Sequence, residues 1–208
     1  MTPVSRAIRL ILASHSPARL ATLQAAGLQP DVIVAGVDES SFHAPTPTDL
    51  VALLARHKAE AVFAGLDQKD DVIVIGCDSV LDFDGEPQGK PGSAQAAVAL
   101  LRRTRGRSGT LVTGHHLIVA TDQQVRRDTR VGSSVVHMAD MTDAEVEAYV
   151  ATGEPVNVAG GFTIDGLGGP FISAIEGDYH NVVGISLPLL RLMLMDCGVS
   201  WPRLWRSS

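Results

Sequence analysis

Asp71-Val72-Ile73-Val74-Ile75-Gly76-Cys77-Asp78 is the stretch on which the fold turns. Four successive apolar residues, Val72 to Ile75, are typical of a short strand covered on both faces, as in sheets clothed by helices. Upstream, Ile8 to Ala13 has the same character. Ser14-His15-Ser16-Pro17 then offers a capping serine and a first-turn proline, predicting a helix from Pro17 to about Ala26 that Gly27 closes. A second strand is expected at Asp31 to Ala35, and a long helix from Pro47, capped by Thr46, to about Ala64. Downstream, Asp82-Phe83-Asp84-Gly85 reads as a hairpin turn and Ser93 as the start of a helix ending near Gly106. Gly109 to Ala120 and Gln124 to Met138 alternate as a long hairpin about Asp122-Gln123. Thr142 to Glu145 is a capping box opening a helix to about Val150. A strand at Phe171 to Ile175 and a helix near Pro188 to Cys197 complete the pattern. Strand–helix alternation followed by hairpins predicts an α/β protein with a mixed central sheet and flanking helices, a single domain over residues 1–208.

Composition narrows the function. The 208 residues are 45% hydrophobic and 19% charged, an ordinary globular balance. A formal net charge of −6 and 4% aromatics argue against a nucleic-acid partner, which needs a basic face or stacking rings. The opening apolar run, Leu10 to Ala13, is too short for a signal peptide or membrane span, so no membrane partner and a cytoplasmic location are expected. Cys77 and Cys197 stand apart without the spacing of a disulfide framework or zinc knuckle.

Several catalytic signatures fail on inspection. Gly89-Lys90 has Asp84 and Pro91 where a phosphate-binding loop needs glycine and a hydroxyl. Gly166-Leu167-Gly168-Gly169-Pro170-Phe171 lacks the third glycine of a dinucleotide fingerprint, and Gly184-Ile185-Ser186-Leu187-Pro188 lacks the last glycine of a nucleophile elbow. No histidine pair has metal-ligand spacing, and His115 and His116 point to opposite faces of a strand.

Three constellations survive. Ser14, Ser16 and Arg19 lie where a strand runs into a helix N-terminus, which suits a phosphate; Ser16 as a plain cap with a solvated Arg19 is the alternative. Asp78 follows the apolar strand, in the region where open α/β sheets bind ligands, and can accept a proton or hold a hard cation. It can equally form a turn before the next strand. Glu39 can share the same crevice or remain a solvated loop acid. On the long helix Leu50, Leu53, Leu54, Ala61 and Val62 define an apolar arc. Lys58 falls within it and must snorkel, pair with an acid or reach a polar cleft, while His57, nearer the centre, reads as a core histidine. Lys90 sits in a constrained Gly-Lys-Pro turn, as a cleft cation or an ordinary surface lysine. Together these suggest metal-assisted chemistry on a phosphate ester.

The chain also resembles the Maf family of nucleoside triphosphate pyrophosphatases. The resemblance rests on Leu10-Ile11-Leu12-Ala13-Ser14-His15-Ser16-Pro17, Val37-Asp38-Glu39, His57-Lys58-Ala59, Ile75 to Val80, Gly89-Lys90-Pro91 and Thr113-Gly114. It continues through Glu147 to Pro155, Ala159 to Phe162, Gly166 to Gly169 and Glu176 to Gly184, in family order over nearly the whole chain. It implies an inosine-triphosphatase-like (Maf/Ham1-type) fold with a central cleft, a homodimer, and hydrolysis of a nucleoside triphosphate to monophosphate and pyrophosphate with Mg²⁺ or Mn²⁺. Asp78 matches the family's proton acceptor. Ser14, Ser16, Arg19, Glu39, Lys58 and Lys90 match polar positions lining the cleft, with Glu39 and Asp78 as metal ligands. Ala18, Ser79 and Asp165 occupy positions that bear on base choice and are most similar to an actinobacterial branch. The competing functions are a nucleotide-binding regulator of cell division that does not turn over and, more weakly, a nucleotidyltransferase.

Overall fold

Uninterrupted apolar runs become the central strands of one mixed sheet, and helices cover both of its faces. The computed structural model describes residues 8–34, 36, 38–67, 71–121 and 124–205. In chain order these form β1 (Arg9–Ala13), α1 (Pro17–Ala25), β2 (Asp31–Val32), α2 (Pro47–Ala64), β3 (Val72–Phe83), β4 (Glu86–Gln88) and α3 (Ala94–Thr104). Then follow β5 (Ser108–Ala120), β6 (Val125–Met138), α4 (Asp143–Ala151), β7 (Ile172–Glu176), α5 (Tyr179–Val183) and α6 (Leu187–Asp196). The sheet runs β2-β1-β3-β5-β6-β7, with β4 also paired to β3. The β2–β1 and β1–β3 pairings are parallel and the others antiparallel.

Period-two alternation sorts the strand residues between the two faces. Leu10, Leu12, Ile73, Ile75 and Leu117 pack with Leu23 of α1 and Leu190, Met193 and Leu194 of α6. Ile11, Ala13, Val74 and Ile118 pack beneath Ala59, Val62 and Phe63 of α2. Farther along β3 and β5, Leu81, Phe83 and Leu111 join Val136, Met138, Phe162 and Val182 in a separate cluster.

The side chains of Ser16, Thr46 and Ser93 cap their helices, and Thr142 and Glu145 form the expected capping box. Asp84 (φ 58°) and Gly85 (φ 83°) make the tight turn between β3 and β4. The Asp122-Gln123 turn, Ala35 and Val37 lie outside the described residues; the second strand is shorter than expected, Asp31–Val32, with Ile33 and Val34 already beyond it.

Three further expectations are corrected. The strand beginning at Val72 does not stop at Ile75: it continues through Gly76, Cys77 and Asp78 to Phe83, because β5 pairs with it from Val72 to Asp82. Asp78 is therefore mid-strand, and its turn-forming reading falls. The buried stripe of α2 is Val51, Leu54, Ala55, Ala59 and Val62, one residue round from the expected arc; Ala61 is exposed and Leu53 only partly buried. That rotation puts Lys58, not His57, toward the sheet. His57 is exposed and lies against the Phe42 ring at 4.4 Å between centroids. Helix α5 has no counterpart in the sequence reading, since its one turn is too short to show a period.

Two glycines set how closely α2 approaches the sheet. A Cβ on Gly114 would lie 2.1 Å from Val51 O, and one on Gly76 would lie 2.3 Å from Ala55 O. Both obstacles are backbone and cannot yield by changing rotamer. Gly114→Ala should therefore cost about 1–3 kcal/mol of stability, measured by chemical denaturation, because α2 must lift from the sheet. Unchanged stability would show that the helix is not seated on these glycines.

Candidate active site

One edge of β3 is occupied by two different strands with a gap between them. β1 pairs with it as far as the Ala13–Gly76 register, and β4 resumes at Leu81. Cys77 to Val80 have no strand partner on that edge among the described residues, an opening of about 13 Å at the usual strand rise. Side chains from both faces reach this opening, so adjacent Asp78 and Ser79 both line a single cleft of about 510 Å³. The carboxyl end of β1 delivers Ser14 and the N-terminus of α1 to the same place, as expected for ligand crevices in open α/β sheets.

At the α2 side, Lys58 Nζ lies 2.5 Å from Asp78 Oδ1 and 2.8 Å from Glu39 Oε1. The Lys58 and Asp78 side chains are 13% and 10% exposed, whereas that of Glu39 is 49% exposed. One ammonium thus bridges a nearly buried acid and an open one. Of the alternatives for Lys58, pairing with acids is the one observed, in a position that also faces the cleft.

On the opposite face Arg19 is 9% exposed and almost fully committed. Its Nε donates to Gly184 O at 2.7 Å, Nη1 to Ser14 Oγ at 2.9 Å and Cys77 O at 3.0 Å, and Nη2 to Ser79 Oγ at 2.9 Å. Four of its five N–H groups are engaged, so the solvated reading of Arg19 falls and only one donor remains for a ligand. The bond to Cys77 O also satisfies a carbonyl in the unpaired stretch of β3.

The hydroxyls have definite roles. Ser14 Oγ accepts from Arg19 and from the Ser16 N–H, leaving its own O–H to donate. Ser16 Oγ takes the Arg19 N–H and caps α1. Thr113 Oγ1 donates to Asn181 O, so the 2.9 Å contact between Ser79 and Thr113 uses the Ser79 hydrogen. With Arg19 on its oxygen and Thr113 taking its proton, Ser79 is a structural link as well as a cleft residue. Ala18, Lys90 and Asp165 complete the expected set on the cleft wall, with Lys90 and Asp165 exposed. The structure thus brings Ser14, Ser16, Ala18, Arg19, Glu39, Lys58, Asp78, Ser79, Lys90 and Asp165 to one cleft. Sequence reasoning missed Thr113 and the Gly184 carbonyl; the Thr113-Gly114 and Val183-Gly184 matches to the family marked their places but not their bonds.

Burial pushes the Cys77 thiol up to about 11, although the nearby Arg19 and Lys58 charges oppose this. It is not a nucleophile at neutral pH. His115, beside it across the β3–β5 ladder, is fully buried, and its Nε2 accepts the Ser186 N–H at 2.8 Å. Desolvation, with the Arg19 charge second, lowers its pKa to about 4.

Two carboxylates converging on one cation also suit a hard divalent ion, which takes oxygen ligands and often only one or two carboxylates, with substrate oxygens and water completing the shell. The described residues contain no group of three or more His, Cys, Asp or Glu able to hold a metal ion. Glu39 and Asp78 could hold such an ion, with substrate oxygens and water completing its shell.

The family model described as Maf-like protein matches residues 9–197. A Cutibacterium acnes protein named nucleoside triphosphate pyrophosphatase is 53% identical over 201 residues, 95% of this chain and 94% of its own. A Streptomyces coelicolor protein of the same name is 51% identical over 205 residues, 99% and 98% of the two chains. The chain belongs to the Maf family. Its similarity to these Maf proteins from actinobacteria agrees with the branch that Ala18, Ser79 and Asp165 suggest. A structural match to the Staphylococcus aureus Ham1 protein has a TM-score of 0.36 and 17% identity, covering 64% of this chain and 72% of that one. No helix among the described residues is long and apolar enough to cross a membrane.

The buried neutral His115 gives a pH dependence of known sign. Below pH 6.5 the unfolded chain gains a proton that the folded chain refuses until about pH 4, so stability falls through that window. Between about pH 6.5 and 4.5 the loss from this group should be ~2–3 kcal/mol. His115→Gln, which keeps an acceptor for Ser186, should flatten that part of the denaturation-versus-pH curve. An identical slope in the variant would remove His115 as the cause.

Proposed function

We propose that this protein is a nucleoside triphosphate pyrophosphatase that uses Asp78 as its general base. The observation that carries the proposal is the Lys58 bridge between Asp78 and Glu39, in a cleft entered by the N-terminus of α1. Such a site holds a polyphosphate and activates water beside it. The relatives named nucleoside triphosphate pyrophosphatase, at about half identity over nearly full length, support the same reading.

Substrate phosphates lie toward Ser14, Ser16, Lys58 and Lys90, where an uncommitted hydroxyl and two ammonium groups offset their charge. Arg19, nearly saturated by the protein, acts chiefly as a fixed positive charge that holds the cleft floor together. When the triphosphate enters, Lys58 exchanges a carboxylate for a phosphate oxygen and frees Asp78 to accept a proton. Water attacks the α-phosphorus, its proton passes to Asp78, and the bond to the bridging oxygen breaks to release pyrophosphate. Glu39 and Asp78 would hold Mg²⁺ or Mn²⁺, which would supply charge stabilisation. Base choice falls to Ala18 and Asp165, since the Ser79 proton and one of its lone pairs are already engaged. The proposal includes residues 1–208 acting as one domain in a cytoplasmic homodimer.

Asp78→Asn should fold normally and turn over about 10²–10⁴-fold more slowly; a variant within a few-fold of wild type would exclude Asp78 as the base. Product analysis of the wild type decides the reaction class. Monophosphate plus pyrophosphate is expected, unchanged ligand would indicate a regulator, and an acceptor-linked nucleotide would indicate a transferase. Lys58→Ala should lower kcat/KM by a transition-state loss of roughly 2–4 kcal/mol. It should also lower the melting temperature, because Asp78 and Glu39 are left without their shared cation. Unaltered kinetics would take Lys58 out of the site.

A further inference from the structure

Glu154 is not among the residues lining the cleft, yet its carboxylate accepts from four donors. Its Oε1 accepts from Tyr149 OH at 3.1 Å, from Gly168 N at 3.0 Å and, at close range, from Thr163 Oγ1. Its Oε2 accepts from Leu167 N at 3.1 Å. Tyr149 OH in turn accepts the Thr163 N–H at 3.1 Å, so both ends of the 163–168 loop are tied to one carboxylate and one phenol. The loop is shaped to receive them. A Cβ on Gly166 would lie 2.7 Å from Glu154 Oε2, and one on Gly168 would lie 2.5 Å from Tyr149 OH.

What hangs from this knot is a cleft wall. Asn157, Val158 and Ala159 follow Glu154 along the chain and line the cleft, as do Phe162 and, from the tied loop, Thr163, Ile164 and Asp165. This wall mixes apolar residues with Asn157, Thr163 and one acid, and carries no cation of its own. A triphosphate is repelled from such a surface, whereas a base with N–H groups finds an apolar contact and an acceptor in Asp165. Burial alone would raise the Glu154 pKa, but the bonds from Thr163, Leu167 and Gly168 outweigh it and hold the group below the ordinary carboxylate range. Burial raises the Tyr149 phenol to about 12, so it remains a donor at neutral pH.

We propose that Glu154 is a positioning residue for nucleoside recognition: it fixes the 163–168 wall, and with it Asp165, at the spacing that the base and sugar require. The proposal rests on the reading of the cleft as a nucleoside triphosphate site. Glu154→Gln keeps one carbonyl acceptor but sets an NH₂ group against the Leu167 N–H, and Glu154→Ala removes every acceptor. The two variants should form a graded series.

Calorimetric titration of wild type and both variants with inorganic tripolyphosphate, and with non-hydrolysable α,β-methylene triphosphates of guanosine, adenosine and uridine, separates the two ends of the cleft. Affinity for the nucleotides should fall by about 10–100-fold, more for Ala than for Gln, and the spread among bases should narrow. Tripolyphosphate affinity should stay within a few-fold of wild type. Equal losses for tripolyphosphate and nucleotides, or a lower melting temperature with nucleotide affinities unchanged, would overturn this role for Glu154 alone. A wild-type protein that binds none of the nucleotides would overturn both the role and the reading beneath it.

Discussion

Helix α2 meets the sheet backbone to backbone at two glycines as well as through its side chains, and the cleft depends on that close contact. The Val51 and Ala55 carbonyls press against Gly114 and Gly76, on neighbouring strands of the sheet. No other residue type leaves the helix this close to the strands. Because α2 lies so low, Lys58 meets Asp78 directly, while Glu39, in the segment leading into the helix, joins the same ammonium. The interrupted edge of β3 supplies the opening, and the helix seat brings the charge to it. A lysine on a buried stripe is unfavourable unless it is paired. Here the two acids answer that need, and they are also the groups that would hold a divalent cation arriving with a polyphosphate.

The opposite side of β3 is organised by a different cation. Arg19 ties α1, the β3 edge and the loop after α5 together through Ser14, Cys77, Ser79 and Gly184. Its charge lowers the pKa of the neighbouring His115 and offsets part of the desolvation of Cys77. The cleft therefore has one cation fixed in the fold and others, Lys58 and Lys90, disposed toward a ligand. On the proposed reading, this arrangement would let a chain of net charge −6 present a local polyanion site.

Much of this was legible in the residues. Capping serines and threonines placed four helices, and the apolar runs placed the mixed sheet. Ser14 reaches the cleft because the end of β1 meets the start of α1 there, whereas Asp78 arrives from mid-strand and Lys58 from mid-helix. What was not legible is instructive. The apolar count ended the central strand at Ile75, since Gly76-Cys77-Asp78 looks like a break; pairing with β5 carries the strand through it. The α2 arc was drawn one residue out because Leu50, Leu53 and Ala61 are as apolar as the residues actually buried, and only the glycine floor selects the face. The Glu154 knot was hidden because its donors are mostly backbone N–H groups, which every residue except proline carries.

The central claim is attack of water on the α-phosphorus in the Asp78 cleft. Turnover in ¹⁸O-labelled water, with the label located by mass spectrometry, tests it most directly. Attack at the α-phosphorus places the heavy oxygen in the nucleoside monophosphate and leaves the pyrophosphate unlabelled. Label in the pyrophosphate, with none in the monophosphate, would put the attack at the β-phosphorus and contradict the account.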